Sequence, residues 1–442
     1  MAVQVAAEKL HRKSYKNANM TNELDAIDEL SRVQDFFLAR QPILNREQTL
    51  IAYELLFRRA REGDANVTDD LSATASVIAH ASELGMEQVI GGSLGFFNVD
   101  GAVLMSDFIK FLPPQKVILE ILETVEATPA IVARVAELCQ AGYKFAIDDV
   151  TGDSQDLRRF LPHVTIIKVD IAQIARADIA PLCAAMKKAG KILLAEKVET
   201  IEEFELCMAA GFDFFQGYYF ARPIVIAGKK LTPSQMTVIR IMALLDADAD
   251  TVELERCIKH DAAIGITLLR LVNTAAVGAA RRIDTLSQAL MVLGRRQLYR
   301  WLQIMLYAEP QRGRQSISPL LMMATTRGKL LELMAQKSFA GDRAMADRAF
   351  AVGIMSLMEA LFGIPMANIL EQMPVADEVR GALLAHEGIF GDMLNLVEYL
   401  ERLQGSGDSA MPVLERLHIT NEDLFVMQRT SFEWSDSIAR SA

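Results

Sequence analysis

Cysteine is scarce in this chain. Four thiols in 442 residues, Cys139, Cys183, Cys207 and Cys257, lie far apart, with no CxxC pair and no histidine at zinc-site spacing. That excludes a disulfide framework or a zinc finger and leaves reduced core thiols as the expectation. Also missing is an excess of basic charge: 46 lysines and arginines face 57 aspartates and glutamates, a net charge of −11. This balance argues against general binding to nucleic-acid phosphates, while leaving room for a small anionic ligand held by one or two placed cations. Nowhere do about 18 apolar residues follow one another, and no long apolar run opens the chain. Neither a membrane span nor a signal peptide is expected, and the cytoplasm is the expected location.

What is present is a globular composition, 51% hydrophobic and 23% charged, over a length that holds two or three domains. Residues 1–33 start basic (Lys9, Arg12, Lys13, Lys16), turn acidic (Glu23, Asp25, Asp28, Glu29), and read as an N-terminal extension of no legible function. From Phe36 to Pro223, apolar runs alternate with helical stretches. Strands are expected at 36–43, 50–57, 94–99, 117–121, 143–148, 164–170, 191–196 and 212–217. Helices are expected at 69–84, 129–141, 178–189 and 200–210. Eight strands in regular alternation predict a mainly parallel sheet closed as a (β/α)8-type barrel. The short polar link LNREQT between the first two strands suits a hairpin, which makes one strand antiparallel.

Polar residues cluster where these runs finish: Glu54, Asn98, Glu120, Asp148, Lys168, Asp170, Glu196 and Gln216. In a barrel, C-terminal strand ends converge on one mouth, the place where such folds put their chemistry. Asp148 and Asp149 are adjacent carboxylates behind a buried strand, an arrangement that repels itself unless a cation sits between them. A divalent metal is the natural tenant.

The segment IAYELLFR resembles the signature of EAL domains, bacterial phosphodiesterases that hydrolyse cyclic di-GMP, and FFNVD, LEILE, AIDDV, IKVD, AEKVE and QGYYFARP follow in the family's order. The resemblance implies metal ligands at Glu54, Asn98, Glu120 and Asp148, with Asp149 serving a second metal. It also implies Lys168 as the lysine that places the attacking water, with Glu199 and Gln216 as further catalytic positions. Arg58 is then the arginine on a substrate phosphate, and Glu123 supports the loop after the aspartates. Oxygen ligands of this kind suit Mg2+ or Mn2+ in a two-metal site. Four features depart from the pattern, one being Leu122 in LEILE where the family prefers threonine. The DFGTG loop reads Asp149-Val150-Thr151-Gly152-Asp153, AEGVE carries Lys197 in place of glycine, and the stretch between Arg58 and Leu94 is compressed.

From Leu231 onward amphipathic segments succeed one another without a convincing strand. Helices are expected at 233–245, 251–260, 262–273, 286–293, 297–308, 319–336, 343–361, 366–372 and 376–387. LLRLVNTAAVG (268–278) and IDTLSQALMVLG (283–294) resemble the HDOD domain, a helical relative of the HD hydrolases without their metal ligands. His260-Asp261 lacks the further histidines such a metal site needs and reads as a helix-boundary pair. The expected organisation is an extension (1–33), an EAL-like barrel (34–228) and a helical HDOD domain (229–442). Two functions follow from the resemblance. In one the chain hydrolyses cyclic di-GMP to the linear dinucleotide under the control of the HDOD half, which binds signalling proteins. In the other the barrel is an inactive sensor or scaffold. Self-association as a homodimer stays open.

Overall fold

Asn45 shows how local chemistry starts the barrel. Its side-chain oxygen accepts from the amides of Glu47 and Thr49, closing a tight turn between two β-compatible runs. In the computed structural model, which describes residues 36–59, 89–221, 233–273, 283–307, 318–371, 373, 375–402 and 410–441, these runs are β1 (Phe36–Asn45) and β2 (Leu50–Arg59). They form the expected antiparallel hairpin. The next six strands are β3 (Leu94–Val99), β4 (Val117–Ile121), β5 (Lys144–Ile147), β6 (Ile166–Asp170), β7 (Ile192–Glu196) and β8 (Phe214–Gln216). β2 to β8 run parallel, and β1 closes the barrel antiparallel to both β2 and β8. The helix expected at 69–84 lies outside the described residues.

All of the described crossover α-helices except the one at Arg176–Lys188 begin with side-chain caps that satisfy free amides. Asp100 starts α1 (Gly101–Met105), Thr128 starts α2 (Pro129–Gln140), and Ser154 starts α3 (Gln155–Phe160). After α4 (Arg176–Lys188), Thr200 and Glu203 form a reciprocal capping box at the head of α5 (Ile201–Ala210).

Inside the barrel, strand pleating does the sorting. Ile43, Ala52, Phe96, Ile118, Ala146, Ile166 and Leu194 pack as one apolar layer, with Phe214 against it. Side chains alternate faces with period two, so the residue two positions nearer the mouth points inward as well. On β2 to β8 those residues are Glu54, Asn98, Glu120, Asp148, Lys168, Glu196 and Gln216. On β1, which runs the other way, it is Gln41.

The second half is helical throughout its described residues. It comprises α6 (Pro233–Asp246), α7 (Thr251–Lys259), α8 (Ala262–Val272), α9 (Leu286–Met305), α10 (Pro319–Ser338), α11 (Arg343–Met355), α12 (Met358–Phe362), α13 (Met366–Glu371), α14 (Asp377–Ala385), α15 (Gly388–Arg402), α16 (Met411–Leu417) and α17 (Asn421–Ser441). The helices expected at 286–293 and 297–308 join across a break at Gly294, whose φ is 71°. The single helix expected at 343–361 is interrupted after Met355 instead. His260 caps the C-terminus of α7 and Asp261 Oδ1 accepts from the amide of Ile264, so the pair joins α7 to α8. α10 and α11 approach closely because a Cβ on Gly353 would lie 2.5 Å from the amide nitrogen of Gly328.

α9 is tied to α10 where Glu332, 3% exposed, meets Arg300 Nη2 at 3.0 Å and Lys329 at 2.9 Å. Burial would raise the Glu332 carboxyl, but these two cations outweigh it and hold the group below its ordinary value of 4.5. A carboxyl depressed on folding contributes stability above its unfolded pKa and loses that contribution as pH falls through its folded one. The unfolding midpoint is therefore expected to drop as pH falls below about 4.5, and a Glu332→Gln variant to drop less steeply over that range, as measured by thermal unfolding. Equal pH slopes in the two proteins would refute this assignment.

Candidate metal centre at the barrel mouth

The eight inward residues form a polar ring directly above the apolar layer, and Lys168 stands within it. Its Nζ lies 2.7 Å from Glu196, 3.3 Å from Glu54 and 3.5 Å from Asp148, and it contacts Glu120. Lys168 is 1% exposed and Glu120 is fully buried. Four carboxylates around one ammonium leave the centre short of positive charge. Burial and the neighbouring Glu54 push Glu120 well above the usual carboxylate range despite Lys168, and burial does the same to Glu196. Asp148 moves the other way: burial would raise it, but Lys168, its close neighbours Glu196 and Glu120, and the Asp149 amide that donates to it together lower its pKa. For Lys168, burial favours the neutral amine, but Glu120, Glu54, Glu196 and Asp148 together hold its pKa well above the ordinary lysine value.

The donor set fits a hard cation. Glu54, Glu120 and Glu196 each place an oxygen within 4.8 Å of the others, and Glu123, Asp148 and Asp149 do the same beside them. Three buried oxygens of the ring, Asn98 Oδ1, Glu120 Oε2 and Gln216 Oε1, have no hydrogen-bond partner. Asn98 Nδ2 meanwhile donates to Glu54 Oε1 at 3.3 Å, so the side chain is oriented with its bare carbonyl free to ligate. Unsatisfied buried acceptors are costly unless something positive meets them. An all-oxygen set with both groups adjacent suits Mg2+ or Mn2+.

The structure brings Glu54, Asn98, Glu120, Asp148, Lys168 and Gln216 together. Asp149, at φ 45°, turns outward beside the exposed Glu123. Burial and the neighbouring Asp148 raise its carboxyl. Glu199 stands apart at the cavity wall, its amide donating to Glu203. It is Glu196, three residues earlier, that reaches Lys168. Arg58 lies in β2 opposite Phe37. Lys197 adopts φ 53°, which explains a glycine preference at this turn, and its ammonium pairs with the buried Asp170 instead of entering the ring. In the departed loop, Val150 is buried and its amide donates to the Lys168 carbonyl. Gln41 was not singled out by the sequence. Mouth residues on the parallel strands follow their apolar runs, whereas in the antiparallel β1 the mouth residue Gln41 precedes the inward apolar Ile43, and the hairpin predicted for the first two strands is the signal that marks it.

Above the ring lies a cavity of about 830 Å³ shared by the two halves. Glu54, Glu196 and Gln216 line one side and Met322, Arg327 and Glu401 the other.

A barrel with an oxygen-lined acidic mouth, joined edge-on to an all-α half, is the class of protein this geometry defines. Its family follows from comparison. The EAL domain profile matches residues 24–223 and the HDOD domain profile residues 231–367. The Vibrio cholerae cyclic di-GMP phosphodiesterase CdgJ is 31% identical over 416 residues, covering 91% of this chain and 93% of that protein. The uncharacterized protein YuxH of Bacillus subtilis is 30% identical over 372 residues, 83% of this chain and 90% of that one. Among solved structures, the Klebsiella pneumoniae BlrP1 complex with calcium and cyclic di-GMP overlaps 43% of this chain and 56% of its own at 26% identity, with a TM-score of 0.36. The chain belongs to the family of proteins in which an EAL domain is followed by an HDOD domain. Among the described residues, no helix is long and apolar enough to cross a membrane.

Proposed function

We propose that this protein is a cyclic di-GMP signalling protein whose barrel is a divalent-metal-dependent phosphodiesterase opening the cyclic dinucleotide to its linear form. The observation that carries the reading is the set of partnerless buried oxygens, Asn98 Oδ1, Glu120 Oε2 and Gln216 Oε1, among clustered carboxylates. Kinship with CdgJ along nearly its whole length supports the substrate. Glu54, Asn98, Glu120 and Asp148 would hold one Mg2+ or Mn2+, with Asp149 serving a second. Ions of this kind, when bound, would supply a more acidic water and neutralise charge on the phosphodiester.

The chain's own residues supply the rest. Lys168 offers a fixed ammonium at the mouth and holds four carboxylates in place. Gln216 orients Glu54 by a 2.5 Å hydrogen bond. Arg58 would take a substrate phosphate, and Glu123 would brace the loop of Asp149. The shared cavity holds the nucleotide against apolar walls, and the helical half regulates the barrel and binds signalling proteins. The domain limits we assign are 34–228 and 229–442.

The buried Val150 in the altered loop favours a second reading, a barrel that binds the nucleotide without turning it over. One assay separates the two. Purified full chain with Mn2+ is expected to convert cyclic di-GMP to the linear dinucleotide, and to stop in excess chelator. Tight binding with no linear product would overturn the enzyme reading in favour of the receptor, and neither binding nor turnover would overturn both.

A further inference from the structure

Two threads of contacts lead from the helical half to Glu54. In the first, one amide nitrogen of Gln216 donates to Glu54 Oε2 at 2.5 Å and to Gln41 Oε1 at 2.8 Å. Facing a carboxylate, Gln216 presents nitrogen, so Gln41 presents oxygen to it, and the Gln41 nitrogen is left for the carbonyl of Glu401 on α15, the loosest link at 3.5 Å. The polarity of the chain is thus set by the carboxylate at its end.

The second thread is charge-assisted. Arg327 on α10 is 1% exposed, a position an arginine occupies only when its charge is met. It pairs with Glu401 at 2.6 Å and Glu398 at 3.2 Å, and donates to the Tyr218 hydroxyl. Tyr218 lies two residues beyond Gln216, and the link between them is stiff. Gly217 has φ 147°, and a Cβ there would lie 2.0 Å from the Val198 carbonyl. Val198 also donates to the Gln216 carbonyl and accepts from the Tyr219 amide, both within 3.1 Å. A displacement at Tyr218 is therefore passed to Gln216 with little slack.

We infer that Arg327 and Glu401 of the helical half are positioning residues for the metal carboxylate Glu54, acting through Tyr218, Gln41 and Gln216. This rests on the metal-site reading above. Groups that orient a metal ligand from behind are worth about 10- to 100-fold in metal affinity. The helical half thereby has a direct mechanical hold on the barrel's chemistry, and whatever shifts α10 or α15 shifts a ligand.

The test is a Mn2+ titration of the full chain by calorimetry, well below the unfolding midpoint, with that midpoint recorded on the same samples. Gln41→Met removes the first thread and Tyr218→Phe deletes only the hydroxyl of the second. Both are expected to bind Mn2+ more weakly than the parent, Gln41→Met by about tenfold, with little change in midpoint. Arg327→Met is expected to act in the same direction, but it strands two carboxylates, so the two milder variants decide. Parental affinity in either of them, while the parent binds Mn2+ and Glu120→Gln does not, overturns the inference and leaves the metal reading intact. A parent that binds no Mn2+ overturns both.

Discussion

Glu120→Gln is expected to abolish Mn2+-dependent hydrolysis of cyclic di-GMP, with kcat/KM falling by about a thousandfold or more, equivalent to ~4 kcal/mol of transition-state stabilisation. Glu120 is the most enclosed member of the ring, fully buried, with one oxygen on Lys168 and the other bare. The amide keeps the volume and the neutral form that the apolar surroundings prefer, so folding is preserved. It removes the charge that a divalent ion needs, and it can present a nitrogen where an oxygen must stand. The signature is a retained unfolding midpoint with loss of both Mn2+ binding and turnover. Turnover within tenfold of the parent would sink the assignment of the centre.

The second large effect concerns Lys168. In chelator, Lys168→Met is expected to lower stability by about 3–5 kcal/mol, because it deletes the one cation that the described residues place among four buried or half-buried carboxylates. Added Mn2+ is expected to restore most of the loss, since a divalent ion bound to the native state alone stabilises it and repairs the same charge deficit. Even when loaded, the variant is expected to hydrolyse cyclic di-GMP about 10²- to 10⁴-fold more slowly, the range for loss of a placed proton-transfer or charge-stabilising group. Thermal unfolding with and without Mn2+, paired with the turnover assay, separates the two roles. An unfolding midpoint unaffected by the substitution in chelator would refute Lys168 as the counter-charge. Full activity in Mn2+ would refute its part in the chemistry.

Much of the barrel was legible because it is built from local signals. β4, VILEI, is buried along its whole length, which an apolar run broken only by Glu120 announces. The Thr200–Glu203 capping box and the turn at Asn45 are written in four or five consecutive residues. The last helices were not legible. On the buried side of α17, Gln428, Ser431, Ser435 and Asp436 alternate with Leu424, Met427 and Phe432, so polar residues interrupt the 3.6-residue apolar rhythm. Gln428 donates to the Leu38 carbonyl at 2.5 Å, Ser435 meets Thr325 at 2.6 Å, and Asp436 pairs with Arg40 at 3.3 Å, bonds between residues over a hundred positions apart. No pattern within one helix encodes them.

The sequence by itself determined the eight strands, the antiparallel first pair and seven of the eight residues in the polar ring, because pleating with period two follows from spacing along each strand. It also determined that the second half is helical. Only the tertiary structure decided that Glu196, and not Glu199, is the further carboxylate that reaches Lys168, since distances between side chains on different strands depend on strand register. It alone turned Lys197 away onto Asp170 and brought Gln41 into the ring from a strand running the other way. It also set Arg327 and Glu401 against Tyr218. Those contacts join distant segments through side chains whose partners are chosen by packing, and packing exists only once the chain has closed on itself.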